Sequence, residues 1–161
     1  MRAWACRRNA AEGTRTAHVA YDPYPRPQVL GERVPEPTVV VPCSAADVPL
    51  DVFTSLESGD ILFVDTTHTV KVGSEVVHVV LDVLPLLQEG VLVHFHDIFT
   101  PWPYPRAWLE EEQWYWAEQY LLQGFLAFNA GFEILLPAQA MARDLPARLA
   151  AAVPSFVPGA G

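Results

Sequence analysis

Two apolar runs constrain the fold of this chain more than any other feature. Ile61–Asp65 (ILFVD) and Val91–Phe95 (VLVHF) are unbroken, short, and followed at once by acids and histidines. A run of that kind closed by an acid is the pattern of a buried strand in a parallel sheet. Parallel neighbours need a crossover of a dozen or more residues between them. The intervening stretch supplies one: Ser74 can cap a helix through SEVVHVVLDVLPLLQEG, stopped by Gly90. Its valines favour strand on propensity, and the βαβ context decides for helix.

The flanking sequence extends the alternation. Thr16–Tyr21 (TAHVAY) and Thr38–Val41 (TVVV) read as short strands ended by proline, and Leu50–Leu56 as a short helix closed by Gly59. A long helix is expected from about Pro105 to Phe128, with Trp108, Trp116, Leu121, Leu122, Phe125 and Phe128 supplying much of its apolar surface. Asn129–Gly131 ends it, and Phe132–Leu136 (FEILL) reads as a last strand. This order predicts an α/β domain over 1–161, with a mainly parallel sheet and helices on both faces. A helix across 1–15 and a loosely ordered tail over 143–161, a surface helix followed by a loose end, complete the reading.

Composition removes several function classes. Lys plus Arg number 10 against 19 Asp plus Glu, a net charge of −9, and Lys71 is the sole lysine. Clustered basic groups for a phosphate backbone or an anionic membrane are therefore missing, so neither nucleic acid nor membrane is an expected partner. Cys6 and Cys43 lack metal or disulfide spacing, and the N-terminus has no apolar signal core; the expected location is the cytoplasm.

In open α/β sheets ligands bind at the carboxyl ends of the strands. There the sequence places Tyr21-Asp22-Pro23-Tyr24, then Ser44 and Asp47, then Asp65-Thr66-Thr67-His68, then His94-Phe95-His96-Asp97. Acids crowded into one crevice need a cation or hydrogen-bond donors between them. A nucleoside ribose or a divalent metal would serve.

The run GDILFVDTTHTVKVGSEVVHVVLDVLPLLQEGVLVHFHDIFTPWPYP, with YDPYPRP upstream and WAEQYLLQGFLAFNAGFEILL downstream, resembles class I S-adenosylmethionine-dependent methyltransferases of the methyltransferase-24 type. The resemblance implies a Rossmann-like fold and a methyl donor held by Asp22 and Tyr24 at the ribose, by Ser44 and Asp47 near the adenine, and by Asp65 facing the methyl group. Catechol-type relatives bind Mg²⁺ through the acid matching Asp65 and through a pair matching His96 and Asp97. They place a lysine base where His68 stands here. The implied reaction is O-methylation of a small hydroxylated molecule, with His68 and Asp65 as catalytic residues and a metal lowering the hydroxyl's pKa.

The resemblance also implies a first strand ending in a glycine-rich loop around the donor, ahead of the helix that reads MRAWACRRNAAEG. Gly13 stands alone in this region. The expectation is therefore a fold lacking its first strand and glycine loop, with an incomplete donor site and an open edge that invites a second copy to pair. Two alternatives stand beside it. One is a non-catalytic remnant serving as a binding or dimerising module. The other is a metal-dependent hydrolase built on Asp65, His94, His96 and Asp97, which lacks a second histidine cluster.

Single residues have blander readings. Thr66–His68 can be an ordinary hydrogen-bonded loop, and His94 is expected in the core. His78 is expected to be solvated or satisfied, and Lys71 on the surface. Glu110–Glu112 reads as a solvated helix face.

Overall fold

A computed structural model describes residues 11–25 and 38–157. The chain divides into two compact units, Met1–Val52 and Phe53–Gly161, and each is described by itself. The expected helix across 1–15 falls mostly outside the described residues; Ala11 and Glu12 are helical, and Gly13 turns the chain at φ 67°.

In the first unit, β1 (His18–Tyr21) pairs in parallel with β2 (Thr38–Val41), His18 opposite Thr38 and Tyr21 opposite Val41. The pairing continues past β1, because the Asp22 amide donates to the Val41 carbonyl at 3.1 Å. A single 3₁₀ turn, Ala45–Asp47, follows β2 and is capped by Ser44, whose Oγ accepts from the Ala46 amide. Helix α1 (Leu50–Thr54) crosses from this unit into the next.

The second unit contains the predicted crossover. Strands β3 (Ile61–Val64) and β4 (Leu92–Phe95) run parallel in register, Ile61 opposite Leu92 and Val64 opposite Phe95. Between them the valine-rich stretch is helical, as its context predicts. Ser74, fully buried, accepts from the Val77 amide and caps α2 (Glu75–His78). The coil then widens to a π turn over Val79–Val83 and closes as a 3₁₀ turn over Leu84–Leu86, where Pro85 has no N–H to give. Val76, Val79, Val80, Val83 and Leu84 recur at helical spacing and form the greater part of the buried core. Burying one such side chain contributes roughly 1.5–3 kcal/mol, enough to override a propensity difference of a few tenths.

Four expectations are corrected. The β3–β4 pair is not buried on both faces: Ile61, Phe63, Leu92 and His94 are exposed on one of them. His94 is thus no core residue; it stacks on Phe63, its register partner, with ring centroids 4.7 Å apart. Next, the long helix is two, α3 (Arg106–Glu110) and α4 (Glu118–Leu126). The chain between them turns at Gln113 (φ 57°) so that Trp114 and Trp116 fold back onto Trp108, with centroids 5.3 and 5.0 Å away. Packing three large rings together outweighs continuing the helix. Finally, Phe132–Leu136 forms no strand; Ile134, Leu135 and Leu136 are exposed, and two helices follow, α5 (Ala138–Asp144) and α6 (Pro146–Ala152). The tail holds the expected helix, Pro146–Ala152, with Leu149 buried. Among the described residues no helix is long and apolar enough to cross a membrane.

Candidate functional site

Parallel pairing puts the carboxyl ends of β3 and β4 side by side. The His96 amide donates to the Val64 carbonyl at 2.9 Å, which brings His96 and Asp97 out next to Asp65. Asp97 takes a positive φ of 55°, and His96 Nδ1 lies 3.1 Å from Asp97 Oδ1 and 4.0 Å from Asp65 Oδ1.

His68 closes the group. It is also left-handed, at φ 54°, so two of the positive-φ non-glycine residues are candidate site residues. Such conformations cost of order 1–3 kcal/mol for most side chains, less for Asp and His, and persist where surrounding contacts enforce them. Here the contacts are visible. The His68 carbonyl accepts from two amides, Ala117 at 2.9 Å and Glu118 at 3.2 Å, which ties the loop to the start of α4. His68 is 5% exposed, and its imidazole lies against Trp116, with centroids 4.0 Å apart. Its Nδ1 sits 2.7 Å from Glu118 Oε2, and its Nε2 faces Asp65 Oδ1 at 3.5 Å and Asp97 Oδ2 at 3.9 Å.

These surroundings set the basicity of the ring. Burial lowers the His68 pKa, but the Glu118 hydrogen bond and the charges of Glu118, Asp65 and Asp97 outweigh it, and the net direction is up from 6.5. His94 moves the other way: burial and the neighbouring His96 lower it, against a smaller opposing pull from Asp65.

Asp65, His68, His96 and Asp97 therefore come together, and hydrogen bonds through both its carbonyl and its ring hold His68 in the loop. Glu118 and Gln119 were not singled out in the sequence, and Trp116 was read as apolar helix surface. Glu118 is fully buried, and its Oε1 has no hydrogen-bond partner. Gln119, also buried, ties down the loop after β4: its Oε1 accepts from the Phe99 amide at 3.0 Å, and its Nε2 donates to the Trp102 carbonyl at 3.1 Å. Its own amide donates to Tyr104 Oη at 3.3 Å. Burial raises the Tyr104 pKa to about 12, against the lowering effect of that amide. One signal in the sequence was available. Glu118 and Gln119 stand among Trp116, Ala117, Tyr120, Leu121 and Leu122, and polar side chains inside an apolar helical segment either reach solvent or find buried partners.

The residues implied for the donor's nucleoside lie in the first unit and are placed by local bonds. Asp22 follows β1, and its Oδ1 accepts from the Tyr24 amide at 2.9 Å in a tight turn. Tyr24 is 87% exposed. Ser44 caps the 3₁₀ turn in which Asp47 sits, exposed. Among the described residues no group of three or more His, Cys, Asp or Glu side chains is arranged to hold a metal ion. Within the expected Mg²⁺ set, His96 Nδ1 is turned to Asp97 Oδ1, and Asp65 Oδ1 faces His68.

A family model described as a methyltransferase domain matches residues 2–98, more than half of the chain, while no curated protein and no solved structure matches it. The matched span runs from before β1 to just past Asp97 and so takes in both parallel strand pairs and the acids that end them. Strand order, crossover and family match agree, and the chain belongs to the methyltransferase-24 family of methyltransferase domains.

Proposed function

We propose that this chain carries a methyl-transfer site of the O-methyltransferase type, acting on a small hydroxylated molecule with S-adenosylmethionine as donor. The observation that carries the reading is the convergence of Asp65 and Asp97, from adjacent strand ends, on Nε2 of the buried His68. Use of that donor is general in the family.

The residues present suit the donor. Asp22 offers an acceptor-only carboxylate for ribose hydroxyls, with Tyr24 beside it and Ser44 and Asp47 assigned to the adenine side. Asp65, Asp97 and Glu118 set three carboxylates around one imidazole, so the group stays anionic even when His68 is protonated, an environment that favours a sulfonium cation. When bound, the donor supplies an electrophilic methyl group open to in-line displacement. His68 then acts as general base: Nε2 takes the acceptor's hydroxyl proton, and Glu118 on Nδ1 holds the resulting imidazolium. Asp65 and Asp97 orient the hydroxyl by accepting or relaying its hydrogen bond. Trp116, stacked on the ring, keeps water from its face.

Calorimetric titration with S-adenosylhomocysteine tests the donor half. Saturable binding weakened about 10-fold or more by Asp22→Ala and by Asp65→Ala is the expected result, a loss of roughly 1.4 kcal/mol. A screen of hydroxylated acceptors tests the other half, with His68→Gln expected to lower kcat by roughly 10²–10⁴. Absence of any donor binding would sink the proposal and leave the chain as a folded binding module.

A further inference from the structure

We propose that Glu118 is the positioning residue of this site: its bond to Nδ1 holds His68 in the one tautomer that leaves Nε2 as the acceptor between Asp65 and Asp97. The role in catalysis rests on the methyl-transfer reading above; the tautomer itself does not.

Four features of the geometry carry the inference. Glu118 opens α4, where an acid is ordinarily solvated and interacts with the helix dipole, yet this one is 0% exposed. Burying a carboxylate costs several kcal/mol unless a partner offsets it. Its Oε2 lies 2.7 Å from His68 Nδ1, and Oε1 has no partner, so the carboxylate is committed to that ring nitrogen. The backbone enforces the same match, since Ala117 and Glu118 donate to the His68 carbonyl and lock main chain and side chain together. Trp116 packs against one ring face and opposes the flip that would carry Nδ1 away from Glu118 and put a ring carbon in its place. An ionised carboxylate accepts and never donates, so in the neutral ring the proton belongs on Nδ1, which lies 2.7 Å from its carboxylate oxygen, and not on Nε2, which lies 3.5 and 3.9 Å from those facing it. The neutral ring then has its lone pair on Nε2. This follows the general rule that the partner of one imidazole nitrogen decides what the other can do.

The residues involved also lie apart in sequence. His68 is within the span matched by the methyltransferase model, and Glu118 and Trp116 lie beyond it. The family pattern up to residue 98 thus supplies the base, while the segment that follows supplies the group that orients it.

The test is nitrogen-15 NMR of the full chain, correlating imidazole carbon-bound protons with both ring nitrogens, with the His68 signals assigned from the spectrum of His68→Gln. At a pH well above the His68 titration, wild-type protein should show a protonated Nδ1 and a bare Nε2. A ring protonated mainly on Nε2 overturns the proposal. In Glu118→Gln, which keeps the side chain's volume, the ratio of the two tautomers should fall roughly 10-fold as a charge-assisted bond becomes a neutral one. An unchanged ratio also overturns it. Should that variant not fold, the wild-type spectrum alone decides. Neither spectrum needs donor or acceptor, so failure of methyl transfer and failure of the positioning role are separate results. Where transfer is measurable, Glu118→Gln should lower kcat at least 10-fold with the acceptor's KM within about 2-fold, the pattern of a group that acts on the base.

Discussion

The strand ends of the two units use similar residues in opposite ways. After β1, Asp22 spends its carboxylate on an amide two residues ahead, and after β2, Ser44 caps its own short turn. After β3 and β4, Asp65, His68, His96 and Asp97 meet one another and a glutamate 50 residues away. The first arrangement is local: it fixes a turn and leaves polar groups at the surface. The second is tertiary: it buries a titratable ring, holds two residues left-handed, and sets a carboxylate against one ring nitrogen. Local bonds can be made by almost any chain with those residues. Long-range polar burial needs the whole unit to fold, and its cost is tolerated where a site depends on it.

The largest effect should come from removing the long-range partner. Glu118→Ala leaves the buried Nδ1 of His68 without its hydrogen-bond partner and opens a cavity at the start of α4. Breaking such a pair typically costs about 3–5 kcal/mol. Urea unfolding followed by tryptophan fluorescence will read it, because Trp116 stacks on His68 itself. A loss below about 1 kcal/mol would mean that the second unit's strand ends are no more demanding than the first unit's.

A pH dependence follows from the same pair, with a definite sign. The folded pKa of His68 lies above its ordinary 6.5, so the folded state holds this proton more tightly than the unfolded chain does. The stabilisation is fully present below 6.5 and is lost as pH rises through the raised folded value. Wild-type stability should therefore fall over that window, and Glu118→Gln should flatten the slope. Methyl transfer runs oppositely, because a general base works only when deprotonated: the rate should rise with pH across the window in which stability declines. A flat stability profile in the wild type would break the link between the buried pair and the fold.

How much of this was legible in the sequence divides along the same line. The strands, the crossover and the four acids at strand ends are patterns of neighbouring residues, and the sequence displays them. The valine-rich stretch from Glu75 to Leu86 reads as helix because two parallel strands need a crossover between them, and its valines form the greater part of the core. Glu118 was passed over because nothing near it in sequence explains a buried acid; its reason is His68, brought to it by folding. The break between α3 and α4 was missed for a related cause. Helical spacing of tryptophans suggests one amphipathic helix, and only the packed structure shows Trp114 and Trp116 closing back on Trp108. The exposed face of β3 and β4 was misjudged because an apolar run does not say how many of its faces are covered.

Two serines offer a smaller, cleaner comparison. Ser74 caps α2 while fully buried, accepting from both the Val77 and Lys71 amides. Ser44 caps the Ala45–Asp47 turn in a half-buried position. Ser74→Ala should cost about 1–2 kcal/mol, since it removes a helix cap and leaves amides unsatisfied inside the core. Ser44→Ala should cost about 0.5 kcal/mol, at the low end for caps, because water can replace it. Urea unfolding reads the first, and amide exchange at Val39–Val41 reads the second. Equal losses would show that the first unit is held as tightly as the second.

Asp22→Ala should have the smallest effect on stability and is the most informative for function. The bond it removes spans two residues on a partly exposed turn, and such surface substitutions fall within about 0.5 kcal/mol. Amide exchange in β1 and β2 should hardly change. If the carboxylate is there only for the turn, Asp22→Asn restores the bond through its side-chain oxygen and nothing else is lost. If it is there for a ribose, Asn restores the turn while donor affinity stays low, because an amide offers one acceptor oxygen where the carboxylate offers two. A turn restored together with full donor affinity would reduce Asp22 to local structure. A turn restored with affinity still lost would show that the first unit's exposed strand ends carry a binding role that their local bonds do not explain.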